Sequence, residues 1–298
     1  MMKIIMDADP GIDDFIAISL ALQSHNFDVL GLTIVEGNCS IENACKNAFK
    51  ALDMCGRYDI EVYKGLKQKG FELHAAYAHG NNGLGDIEYE SIDRKVNKES
   101  AISYLIRMVN TYPHQITILV FGPLTNIAEC VKRDKEFAKK VKSLLIMGGS
   151  NKLGNITPYA EFNFYKDPVS ASIVLQAQFK EILVFGWDVT CKIPLLDKQE
   201  QQLNNSTKAL PKFIYNITRV TSIHDTPEYG GPVISDPLLV AYLIDNSVVK
   251  FKNAQIKIVT SGEEKGCSKV KFVDKSNIQI ATEADAQKFH QILLNTIV

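Results

Sequence analysis

Lys3-Ile4-Ile5-Met6-Asp7-Ala8-Asp9-Pro10-Gly11-Ile12-Asp13-Asp14-Phe15 begins as a short apolar run and ends where a helical pattern starts, with four carboxylates among residues 7 to 14. Lys3 to Asp7 reads as a strand and 14 to 24 as the helix after it. The same pairing recurs at Asp28 to Val35 before 40 to 56, and at Gln115 to Phe121 before 124 to 132. Alternation of this kind predicts a parallel α/β sheet, because a helix is the usual crossover between parallel neighbours. Ser143 to Met147 and Glu181 to Phe185 are further strands, nearly all apolar because helices cover both faces of such a sheet.

Beyond residue 250 the pattern changes. Ala254 to Val259, a turn at Ser261-Gly262-Glu263, Val270 to Val273 and Asn277 to Ala281 alternate like an antiparallel meander, and an amphipathic helix at 284 to 296 closes the chain. No internal repeat or Pro/Gly/Ser-rich linker divides the sequence. The expected fold is therefore α/β, a mostly parallel open sheet with helices on both faces plus a small antiparallel C-terminal extension, with residues 1–298 as one domain. The polar, weakly patterned stretch 204 to 235 predicts mobile loops or short helices over a site.

Composition excludes several classes of partner. Lys plus Arg number 33 against 34 Asp plus Glu, a formal charge of -1, so there is no electrostatic footprint for nucleic acid or an anionic membrane. No apolar run is long enough to span a bilayer, and the first residues lack the apolar core of a signal peptide, which predicts a cytoplasmic protein. The six cysteines are scattered without Cys-x-x-Cys spacing and are expected to be reduced.

Open α/β sheets bind ligands in the crevice at the carboxyl ends of their strands, where the acidic turn falls. Asp13 and Asp14 could each be explained as first-turn acids favoured by the helix dipole. Asp7 and Asp9 cannot, since the strand carries them to the sheet edge. Crowded carboxylates call for a cation, and oxygen donors without nearby His or Cys select Ca²⁺ or Mg²⁺.

Asp7-Ala8-Asp9-Pro10-Gly11-Ile12-Asp13-Asp14 resembles the Asp-Thr-Asp-Pro-Gly-x-Asp-Asp signature of the inosine-uridine type nucleoside hydrolases, with Ala8 for the usual Thr. Further matches follow in that family's order: Gly37-Asn38, His79 to Gly85, Gly122-Pro123-Leu124-Thr125-Asn126, Met147-Gly148-Gly149, Gly154 to Asn163 and Ser235-Asp236-Pro237. The resemblance implies Ca²⁺ held by Asp9, Asp14, the Thr125 carbonyl and Asp236. It implies hydrolysis of the N-glycosidic bond of ribonucleosides, with Asp9 as general base toward water attacking C1′. Asp13 would take the ribose 2′-hydroxyl. Asn38, Asn155, Glu161 and Asn163 match ribose-binding positions, Asn38 also standing in the catalytic group, and His79 matches a histidine near the sugar. A ribonucleoside substrate, a salvage role and a homodimer or homotetramer are implied as well.

Three further departures concern the pocket. The residue before the metal-ligand Asp is commonly His in the branch that protonates the departing base, and here Ser235 lines that position, leaving His224 and Tyr229 as candidate acids by place alone. Asn82 replaces a usual Asp, removing a charge near the pocket, and Trp187 stands where an aliphatic residue is usual and is expected to pack in the core. A ribonucleoside-binding or regulatory homologue with weak or no hydrolysis is the alternative that Ser235 motivates. Haloacid-dehalogenase phosphatases also open with Asp-x-Asp after a first strand but need a hydroxyl two residues on, where Gly11 stands.

Overall fold

β1 (Met2–Ala8) sends Ile4, Met6 and Ala8 into a core on one face of its sheet and Ile5 into a second core on the other. The same parity holds in β4 (Thr117–Val120), β5 (Ser143–Met147) and β6 (Ile182–Phe185): Leu119, Leu145 and Leu183 point one way, and Ile118, Leu144 and Ile182 the other. Side chains alternate along a strand, so two covered faces demand the unbroken apolar runs seen in the sequence.

The computed structural model describes residues 1–67, 74–90 and 93–298. With β2 (Phe27–Ile34), β3 (Val62–Lys64), β7 (Val249–Ile258), β8 (Ser268–Phe272) and β9 (Ile278–Ala284), the described strands form one sheet in the order β3-β2-β1-β4-β5-β6-β9-β7-β8. β1 to β6 pair in parallel. The order reverses between β1 and β4, which opens a crevice at their carboxyl ends.

The expected antiparallel C-terminal extension is present: β7 pairs antiparallel with both β9 and β8. β9 also lies parallel beside β6, so the extension is continuous with the main sheet. The last helix, Ala286–Ile297, is capped by Asp285, whose side chain accepts the Lys288 N–H at 3.1 Å.

The expectation of mobile loops or short helices over 204 to 235 is overturned. Ala209–Tyr229 is one helix of 21 residues, burying Leu210, Ile214, Ile217, Thr218 and Thr221, and Gly230 ends it in the left-handed conformation (φ 82°). Two of those buried positions are Thr, and Pro227 lies inside the last turn, so the apolar stripe is faint. No helix among the described residues is long and apolar enough to cross a membrane.

Asp7 shares the face of Ile5 and is fully buried. Its Oδ1 accepts from the Thr33 hydroxyl at 2.5 Å and from Asn126 Nδ2 at 2.8 Å, while Oδ2 has no partner among the described residues. Asn126 Nδ2 also donates to the Ile34 carbonyl and its Oδ1 accepts the Leu66 N–H, tying together β1, β2 and the segment after β3. Burial pushes the Asp7 carboxyl up to about 7 against the lowering effect of the Asn126 and Thr33 hydrogen bonds. A carboxyl raised on folding favours the native state most below its ordinary range near 4, and that contribution drains away as pH climbs through about 7. Asp7→Asn, which keeps the acceptor oxygen, is therefore expected to gain stability relative to the parent between pH 5 and pH 8.5, by at most ~3 kcal/mol. Melting temperatures of both proteins across that range provide the check; a constant difference would mean that Asp7 does not titrate.

Candidate active site

The acidic turn is shaped by the start of the helix Ile12–Gln23. Asp14, in its first turn, accepts the Gly11 and Asp9 N–H groups, each at 3.1 Å. The helix-start explanation is thus true of Asp14, yet incomplete. One carboxylate oxygen from each of Asp13, Asp14 and Asp236 lies within 4.8 Å of the others, although residue 236 is far along the chain. The Oδ1 atoms of Asp9, Asp13 and Asp236 are buried without a hydrogen-bond partner among the described residues.

Asp9 lies beside this trio, joined to it through Asp14 and Asn38. The Asn38 N–H donates to Asp9 Oδ2 at 2.8 Å, and its Nδ2 donates to Asp14 Oδ2 at 3.0 Å. A Cβ on Gly122 would sit 2.5 Å from Asp9 Oδ1, and one on Gly37 would strike Asp9 Oδ2, so both glycines leave room for this carboxylate. Burial pushes Asp9, Asp14 and Asp236 above the usual carboxylate range, and neighbouring acids add to it. A bound cation would reverse that preference for protons.

Above the turn lies a cavity of about 370 Å³. Asp13, Asn38, His79, Asn155, Glu161, Asn163, Ser235 and Asp236 all line it, as do His224, Tyr229 and Trp187. Asp9 and Asp14 are fully buried and are not among its lining residues, nor is Thr125. Thr125 begins the helix after β4, and its hydroxyl donates to Asp167 at 2.7 Å.

Each amide in the cavity has one end fixed. Asn163 Nδ2 donates to the carbonyls of Phe121 (2.6 Å) and Met147 (3.2 Å), leaving Oδ1 as an acceptor. Asn155 Oδ1 accepts the Phe162 N–H at 2.8 Å, leaving its amide donors. Glu161 accepts the N–H groups of Gly149, Asn163 and Phe164, and burial pushes it up to about 7 against those bonds. His79 is half-buried rather than free in solvent: Nδ1 accepts the Ile12 N–H at 3.1 Å, which leaves the ring proton on Nε2. Burial lowers its affinity for a second proton, against the pull of Asp13.

The wall opposite the strand ends is the 209–229 helix, which contributes Thr221, His224, Asp225, Glu228 and Tyr229. Their 3-4 spacing was available in the sequence, but Asp225 and Glu228 look like ordinary surface acids there. Ser235 donates to the Thr190 hydroxyl at 3.0 Å. Trp187 is buried, as expected of a core residue, but also reaches the cavity, its ring perpendicular to Tyr229 at 5.7 Å. Asn82 does not line the cavity; its Oδ1 accepts the Leu84 and Asp86 N–H groups and organises the loop.

Known proteins resemble the chain over nearly its whole length. A family profile described as inosine-uridine preferring nucleoside hydrolase matches residues 4–291. Uridine nucleosidase 1 of Arabidopsis thaliana is 35% identical over 266 residues, covering 87% of this chain and 79% of that protein. A plant nucleoside hydrolase structure superposes with a TM-score of 0.92 at 32% identity, covering 99% of this chain and 98% of the other. A purine-preferring ribonucleoside hydrolase from Gardnerella vaginalis has the same TM-score at 29% identity, with the same coverage.

Proposed function

The chain belongs to the inosine-uridine preferring nucleoside hydrolase family, and from that premise we propose that it is a Ca²⁺-dependent ribonucleoside hydrolase releasing ribose and free base. The observation that carries this is the convergence, in one cavity, of carboxylates with unpartnered buried oxygens and of amides with one free end.

Asp14 and Asp236, with Asp9 and the Thr125 carbonyl, would hold the ion; the orphaned oxygens of Asp9 and Asp236 and the all-oxygen donor set fit a hard cation. When bound, Ca²⁺ supplies positive charge that offsets the crowded acids and orients a sugar diol. Asp9 takes the proton of the attacking water, with Asn38 pinning its other oxygen. Asp13 accepts the 2′-hydroxyl. Asn163 Oδ1 accepts from, and the Asn155 amide donates to, the remaining hydroxyls, while Glu161 fixes the backbone between them and His79 presents Nε2–H. A sugar lacking a hydroxyl would leave such groups unpaired, so ribosides are favoured over 2′-deoxyribosides.

Incubation with Ca²⁺ and uridine, inosine, cytidine, adenosine or a nitrophenyl riboside, following free base and reducing sugar, tests the proposal. Release of base from at least one natural nucleoside is expected, with the 2′-deoxy counterpart slower. Tight nucleoside binding without release of any base or nitrophenol would make the protein a ribonucleoside-binding homologue instead.

A further inference from the structure

We propose that Asp225 donates the proton to the departing base, the part that Ser235 leaves open; this rests on the hydrolase function proposed above. With ribose on the acids and amides at the strand ends, the base would lie toward the 209–229 helix, which carries His224, Asp225, Glu228 and Tyr229, most of the cavity's remaining ionisable side chains. Thr221 spends its hydroxyl on the Ala78 carbonyl at 3.0 Å. Tyr229 spends its own on Glu228 at 2.8 Å, and burial and Glu228 push it up to about 12, which makes it a still weaker acid. His224 is exposed at the cavity mouth, its ring edge to face with Tyr77 at 6.2 Å.

Asp225 is half-buried and lines the cavity. The Val233 N–H donates to its Oδ2 at 2.8 Å, and among the described residues Oδ1 has no protein partner. A carboxylic acid held in this way accepts the N–H on its carbonyl oxygen and keeps its O–H free to donate, so one backbone bond fixes both its orientation and the oxygen that carries the proton. Asp13 on the first helix and His224 and Glu228 on its own helix face it, and Tyr77 lies near. Burial raises its carboxyl to about 6, against the Val233 bond; Asp13 and Glu228 add to the rise, and His224 opposes it. In the reaction, water oxygen bonds to C1′ and its proton passes to Asp9. The C1′–N pair leaves with the base, which takes the proton of Asp225, and solvent returns both acids to their starting states.

Asp225→Asn keeps the acceptor for Val233 and the volume but has no acidic proton. Nitrophenolate leaves without protonation, so the ratio of nitrophenyl riboside turnover to uridine or inosine turnover is expected to rise by about 10²- to 10⁴-fold in the variant. In the parent, nucleoside turnover should fall as pH rises above about 6, a limb absent from the nitrophenyl profile and from the variant. Equal loss on both substrates, at an unchanged melting temperature, would make Asp225 a positioning residue and overturn the proposal, as would no loss on either. A parent protein that releases neither base nor nitrophenol would instead bring down the hydrolase function itself, and this proposal with it.

Discussion

Asp9→Asn is expected to slow release of base from nucleosides by about 10²- to 10⁴-fold and to slow nitrophenyl riboside cleavage by a similar factor. The amide is isosteric with the carboxylate and can still accept the Asn38 N–H, so it fits between Gly37 and Gly122 without disturbing the turn. What would disappear is the basic oxygen proposed to take the water proton. Water attack is common to every leaving group, so the loss should not discriminate between substrates, in contrast to the loss at Asp225. Steady-state kinetics of both substrates at saturating Ca²⁺, with a melting curve to confirm folding, make the comparison. An Asp9→Asn protein that turns over uridine at the parental rate would remove Asp9 from the mechanism.

Ca²⁺ added to chelator-treated protein is expected to raise the melting temperature by roughly 5 to 10 °C. At a concentration 100 times its dissociation constant, a ligand of the native state contributes about 2.7 kcal/mol, and a domain of this size shifts by some 2 to 4 °C per kcal/mol. The shift should be larger at pH 8 than at pH 5.5. Without the ion, burial raises Asp9, Asp14 and Asp236, so at the lower pH Ca²⁺ must displace more protons to bind. Asp236→Asn should abolish most of the shift, because it removes a carboxylate that joins the turn to a distant segment. Differential scanning calorimetry with Ca²⁺ titration at the two pH values gives the answer, and an Asp236→Asn protein responding like the parent would place the cation elsewhere.

The parallel half of the fold was legible because its cause is local. Runs such as Leu144-Leu145-Ile146 must satisfy a core on each face, and that leaves a mark in a few residues. The seat of β9 beside β6 was not, since it pairs Ile182 with Ile278, nearly a hundred residues away, and hydrophobic alternation cannot specify a neighbour at that range. The wall helix was hidden by Thr218 and Thr221 on its buried side. Of the site, the acidic turn could be read because four carboxylates in so short a stretch find no partners among themselves. Asp225 could not, because a single acid on a polar helix acquires meaning only from what stands opposite it. Asp7 belongs to neither group: it looks like part of the cluster, but strand parity turns it to the other face, where Thr33 and Asn126 hold it.

The buried oxygens left unpaired on Asp9, Asp13 and Asp236 have a consequence for how this protein responds to selection. A library of variants ranked by heat resistance alone, without Ca²⁺ or substrate, would enrich amides and small apolar residues at these positions, since each relieves a desolvated charge. The survivors would be sturdier and inert. Retention of the acids through such mutational pressure requires that turnover be selected alongside endurance, so the chain's tolerance to substitution at this turn reports which of the two has been screened.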